Sequence, residues 1–361
     1  MNRVSAVLVF VAAIAMVTAA SFPGRDLWTI ESDKLRLSIL QSGGHVAELM
    51  LKESGAVNPL WVQNRATIDP DKFDASRDAA RYGGGSGAKL MSGLAGHNLC
   101  FPYWGNPSET EERAGMTFHG ETGIARWRRL EGGADWITVA ADLPQSMTRF
   151  TRTVRIHKQV ALFEETAENL SAWDRPVGWC EHVTFGAPFL KKGVTQFEAA
   201  VKQGRNNAGK EVQWADGLAT VPDVPKSGFV DNFLVDQAKG LAYITAYNPA
   251  THLLVGYVFR PKEFGWLNVW ESNNADMLTR GMEFSNTPVH GTVRALVAQP
   301  RLFDTPTFDW LPAKSKLRKS YLAFSVVVPD GFSGTKSLSV QGGNLVVNEM
   351  SFELGDISFG R

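Results

Sequence analysis

Apolar and polar residues alternate with a period of two along most of this chain, and helical periodicity is scarce. Lys34–Leu40 and His45–Leu51 flank Ser42-Gly43-Gly44 and predict a hairpin. Asp135–Asp142 and Arg149–Ile156 predict two further strands. Leu241–Tyr247 and His252–Phe259, separated by Asn248-Pro249-Ala250-Thr251, predict a second hairpin. A third pairs Ser337–Gln341 with Leu345–Phe352 across Gly342-Gly343-Asn344, residues suited to positive φ. Turn residues recur at short intervals throughout. The pattern predicts an all-β fold, a large antiparallel β-sandwich. With no linker and no internal repeat, one domain over 21–361 is expected. The best helical candidate is Asp69–Arg81, short and polar.

The stretch from Asp69 to Phe118 reads as a long loop, and long loops in compact domains often bind ligands. Its glycine run, Tyr82-Gly83-Gly84-Gly85-Ser86-Gly87, lacks the Gly-Lys-Ser/Thr ending of a phosphate loop. Asp69-x-Asp71 starts like a calcium loop, but Phe73 holds the third ligand position, so a solvated acidic turn is expected.

Charge and composition exclude some functions. The 361 residues carry 37 basic and 37 acidic side chains, with no Lys/Arg stripe. Nothing here asks for nucleic acid or an anionic membrane. Aromatic residues make up 11% of the chain, including 11 Trp, and Trp suits stacking on sugar rings. At the N-terminus, Arg3, the apolar run Ala6–Val17 and small residues through Ala20 have the form of a secretory signal, with cleavage expected near Ala20. The run is shorter than the roughly 20 residues that span a membrane. A periplasmic or extracellular location follows. Only Cys100 and Cys180 are present; they could pair in an oxidising compartment, and no zinc-site spacing accompanies them.

Three titratable residues stand in or beside strand-like segments: His119 in GMTFHGETG, His182 in WCEHVTFGAPFL and Glu283 in LTRGMEFSNTP. Imidazoles and a carboxylate can move protons near neutral pH without a metal or cofactor. Trp104, in the loop before His119, could floor a sugar site. Glu181 should point away from His182, being its neighbour in a strand. His45, His157, His252 and His290 lack supporting context and are expected to be structural or exposed.

The order of these segments resembles the aldose 1-epimerase (galactose mutarotase) superfamily from about Leu35 to Val327. Gly43-Gly44 and the apolar strand after it resemble that family's opening hairpin. Phe118-His119-Gly120 with Trp127 downstream is similar to its His-Gly segment. Ala167-Glu168-Asn169-Leu170-Ser171 followed by Glu181–Gly186 resembles its asparagine-then-histidine block. Ser227–Phe233 is similar to its Asp-His-Asn-Phe stretch, Leu267–Asn273 to its strand with an aromatic and an Asn, and Gly281-Met282-Glu283 to its late glutamate.

The resemblance implies a wide supersandwich with a sugar cleft on one sheet face, interconverting the anomers of a reducing sugar. It implies His182 as general acid to the ring oxygen and Glu283 as general base to the anomeric hydroxyl, on opposite sides of the anomeric carbon. His119 would bind and polarise the sugar, and Trp270 would lie near the substrate. Two departures stand out. The family's Asp-His-Asn-Phe aspartate falls on Val230, with Asp231 one position away, and one position in a strand changes the face. The family's arginine has no clear counterpart; His97 stands near its place and Arg113 is a second candidate. The partner is a small carbohydrate. A binding protein without turnover, or a glycoside-cleaving enzyme of the same fold, are the alternatives; cleavage normally uses two carboxylates.

Overall fold

A computed structural model describes residues 22–55, 57–223 and 226–359, without the side chains of 226–229. The segment expected to be a secretory signal, with its expected cleavage point near Ala20, lies outside the described residues. The fold is an all-β sandwich of two large antiparallel sheets.

One sheet has ten strands. Its centre runs, neighbour to neighbour, through Val46–Leu51, His97–Cys100, Cys180–Gly186, Leu278–Ser285, Trp266–Asn273 and Lys226–Val235. The other has eight, centred on Leu253–Phe259, Lys316–Val327, Val160–Asn169 and Thr148–His157. In Thr148–His157 the residues Thr148, Phe150, Arg152, Val154 and Ile156 alternate inward, as a period-two pattern requires. Leu253–Phe259 is buried throughout because both of its faces are covered. Its inner face packs on the ten-stranded sheet. Its outer face joins Leu254 and Val258 to Leu345 and Val347 of a three-stranded C-terminal sheet.

The three predicted hairpins form. The first is Leu35–Leu40 with Val46–Leu51. Its turn places Gly43 at φ 90° and Gly44 at φ 63°, where Trp127 packs too closely to leave room for a Cβ. The second is Ala242–Asn248 with Leu253–Phe259. The third differs in its outer limb. Leu345–Phe352 is two strands, Asn344–Val347 and Met350–Glu353, because the chain reverses at Asn348, whose φ is 53°. The helix within 69–81 is Ala75–Tyr82, capped by the Asp74 side chain. Asp69 is not solvated. It is buried against the Arg25 guanidinium at 2.7 Å and Lys72 at 2.8 Å.

A polar network crosses the core between the sheets. Buried Arg152 lies 2.5 Å from Glu165 and 3.7 Å from Glu181. Glu181 also accepts hydrogen bonds from Trp179 Nε1 at 2.8 Å, His97 Nε2 at 2.8 Å and Tyr321 at 3.2 Å. These contacts offset much of the cost of burying charge, although Arg152 Nη2, Glu165 Oε2 and His97 Nδ1 have no hydrogen-bond partner among the described residues.

Candidate active site

Strand register explains how the site assembles. Cys180–Gly186 and Leu278–Ser285 pair antiparallel, with Glu181 opposite Phe284 and Thr184 opposite Gly281. Between those pairs His182 faces Glu283 across the ladder. Glu181, Val183 and Phe284 point into the core, so His182 and Glu283 point to the other face of the sheet. His182 Nε2 lies 2.9 Å from Glu283 Oε1. Oε1 nevertheless accepts no hydrogen bond among the described residues, so the two groups are close but not aligned on each other. On its far side His182 Nδ1 contacts Thr184 Oγ1 at 3.2 Å, two residues on and on the same face. Cys180 Sγ donates to Glu283 Oε2 at 3.6 Å. Burial holds the Cys180 thiol well above its ordinary pKa, so it stays a donor. Cys100 and Cys180 are opposite one another and are free thiols.

His119 arrives from a loop. Its φ of 66° and the following Gly120 turn the chain sharply, and a Cβ at Gly120 would meet Phe101 O. His119 N donates to Gly105 O at 2.8 Å, and Gly105 N donates back to His119 Nδ1 at 3.0 Å. Nδ1 is therefore the acceptor, and the proton sits on Nε2. Burial, then the neighbouring His182 and His290, push the His119 pKa well below the usual range. The ring stays neutral, 5.0 Å from that of His182 between centroids.

These side chains line a cavity of about 300 Å³. His119, His182, Glu283 and His290 are its titratable groups. Trp61, Met91, Leu94, Trp104, Phe118, Val230, Trp270 and Met277 complete it. The Trp270 indole packs against Gly281, where an added Cβ would stand 1.9 Å from its Nε1. Trp104 is packed edge-on to His290, with centroids 4.6 Å apart. The indole Nε1 atoms of Trp104 and Trp270 are buried and have no hydrogen-bond partner among the described residues. Three of the lining residues, Trp104, Trp270 and Glu283, thus carry a polar atom with no partner among the described residues. Beyond Trp61, Met91 and Met277 a second recess opens, lined also by Gln63, Asn64, Arg65, Asn274 and Asp276.

The structure brings together His119, His182, Glu283, Trp104 and Trp270. It does not bring three other candidates. His97 pairs with Val183 and faces the core, where its Nε2 is held by Glu181; Asn98 takes the cavity-side position opposite His182. Arg113 lies on a surface helix, Glu109–Arg113, 77% exposed and paired with Glu109 at 2.9 Å. Asp231 is paired with Val269, a core residue, whereas Val230 is paired with Trp270 on the cavity face. His290 belongs to the cavity wall rather than to unrelated surface. Its placement comes from a bridge to Trp104, with Gly291 N donating to Trp104 O at 2.7 Å. No sequence period marks such a loop residue.

A wide antiparallel supersandwich with a histidine–glutamate pair on one sheet face defines the class. Solved structures share the architecture. A candidate aldose 1-epimerase from Klebsiella pneumoniae aligns with a TM-score of 0.64 at 15% identity, covering 84% of this chain and 79% of that one. A galactose mutarotase-like protein from Clostridium acetobutylicum aligns at 0.60 and 12% identity, covering 84% and 96%. A second, from Lactobacillus casei, aligns at 0.56 and 12%, covering 83% and 100%. This chain has the galactose mutarotase-like fold. No family model and no curated protein matches its sequence.

Proposed function

We propose that this protein is an aldose 1-epimerase-like enzyme that interconverts the anomers of a cyclic hemiacetal sugar by acid–base ring opening and closure. The observation that carries the reading is the His182–Glu283 pair, 2.9 Å apart on the floor of an aromatic cavity. The ring oxygen and the anomeric hydroxyl are both bonded to one carbon. An acid and a base side by side can therefore reach both, and they need not stand on opposite sides of that carbon as the sequence suggests.

Protonated His182 gives its Nε2 proton to the ring oxygen as the ring carbon–oxygen bond breaks. Ionised Glu283 takes the proton of the anomeric hydroxyl, whose oxygen becomes the aldehyde. The carbonyl turns about its bond to the next carbon. The ring then closes on the other carbonyl face, Glu283 returning its proton to the new hydroxyl and His182 recovering one from the ring oxygen. Thr184 steadies His182, and the Cys180 thiol steadies Glu283. Neutral His119 donates from Nε2 to the substrate and adds no competing charge. Positioned proton transfers of this kind typically contribute about 10²–10⁴-fold each.

Glu283 is the one carboxylate among the lining residues, which favours epimerisation over glycoside cleavage. The N-terminal sequence supports export of this activity. The test is anomer exchange on freshly dissolved sugars, followed by polarimetry or NMR with purified protein. Acceleration over the spontaneous rate is expected. Binding of a sugar by calorimetry with no acceleration of any sugar would leave a binding protein instead.

A further inference from the structure

We infer that the cavity favours a cyclic hemiacetal with one hydroxyl fewer beyond its reacting carbon, a 6-deoxy sugar over its fully hydroxylated counterpart. This rests on the epimerase reading and names its substrate class. His119, His182 and Glu283 are engaged at the ring oxygen and the anomeric hydroxyl. A fully hydroxylated aldohexose ring carries four further hydroxyls, three on ring carbons and one on the exocyclic carbon, and each is both a donor and an acceptor. The rest of the wall gives little to meet them. The indoles of Trp104 and Trp270 donate only. His290, at the mouth, is the one further titratable side chain. The other surfaces are Trp61, Met91, Leu94, Phe118, Val230 and Met277, and among the described residues no Asp, Asn, Arg or Lys lines the cavity.

Register enforces this poverty. Asp231, one position from Val230, is turned to the opposite face of its strand by pairing with Val269. Polar side chains are not scarce nearby: Gln63, Asn64, Arg65, Asn274 and Asp276 line the adjoining recess, on the far side of Trp61, Met91 and Met277. Trp61, Met91 and Met277 border both the polar recess and the apolar reaction chamber. A hydroxyl forced against that apolar wall loses its water and gains no partner, a penalty that deoxygenation removes.

The experiment compares matched sugars with the full chain: D-galactose with its deoxy counterpart D-fucose, and D-glucose with D-quinovose. Anomer exchange is read by saturation-transfer NMR. The expected result is a kcat/KM about tenfold or more higher for each deoxy sugar. Equal or better turnover of D-galactose and D-glucose would overturn the inference and leave the epimerase reading standing. Exchange of none of the four above the spontaneous rate would overturn both. Val230→Thr, which replaces a cavity methyl by a hydroxyl at nearly constant volume, should shrink the D-fucose preference; an unchanged ratio would contradict the role given to Val230.

Discussion

Replacing Gly281 by Ala probes how the cavity floor is built. Gly281 sits in an extended strand opposite both Thr184 and Trp270, and the Trp270 indole lies directly on it. A methyl there would stand 1.9 Å from Nε1 and 2.1 Å from Cδ1. To regain ordinary contact the indole must move by about 1.5 Å. The backbone tolerates Ala, and losing a glycine from the unfolded chain returns about 0.5–1 kcal/mol. Overpacking a fitted site costs about 1–3 kcal/mol, so a net loss of about 1–2 kcal/mol is expected. The displaced indole can no longer keep its ring 5.8 Å from that of His182. KM should rise about tenfold, with kcat less affected because His182 and Glu283 are not moved. Urea unfolding gives the first quantity and anomer-exchange kinetics the second. In a Trp270→Ala background the same glycine change should cost nothing, since the clash is gone. Unchanged stability and KM in the single variant, or an equal penalty in both backgrounds, would refute the packing argument.

Other consequences follow from burial and pairing. His45 is enclosed, and burial, with Arg25 nearby, lowers its pKa to about 3, while His97 and His119 are shifted in the same direction. The unfolded imidazoles titrate near 6.5, so the unfolded chain binds more protons below that pH. For His45 stability should then fall by about 1.4 kcal/mol per pH unit as pH drops from about 6.5 toward 3, and His97 and His119 add losses of the same sign below their unfolded value. Urea midpoints at pH 7.5 and 5.0 check this; a flat or rising profile toward acid would contradict it. His97→Ala removes a partner from buried Glu181 and leaves a cavity, costing about 3 kcal/mol or more in urea unfolding, with KM unchanged in the folded fraction. Trp104→Phe deletes a buried N–H that has no partner among the described residues, so KM should rise about tenfold while stability changes by about 1 kcal/mol or less.

Strand alternation made much of the sandwich legible, and turn glycines located the hairpins. The order of motifs pointed to His119, His182 and Glu283. Face assignment failed where one position decides it. His97 and Asn98 are adjacent and both buried, and only pairing with Cys180–Gly186 sends the histidine inward. The same one-position ambiguity separates Val230 from Asp231. Trp61, Met91, Leu94 and Met277 look like ordinary core residues in a sequence. They become cavity wall only because loops fold back over the outer face of the ten-stranded sheet.

The central claim is that Glu283 takes and returns a proton beside His182. Glu283→Gln keeps the shape of the side chain and removes its basicity. Anomer exchange measured for this variant, on the sugar the wild type turns over best, tests the claim most directly. A fall in kcat of about 10²–10⁴-fold, with the unfolding midpoint held, is the predicted result. Turnover within a few-fold of wild type would contradict it.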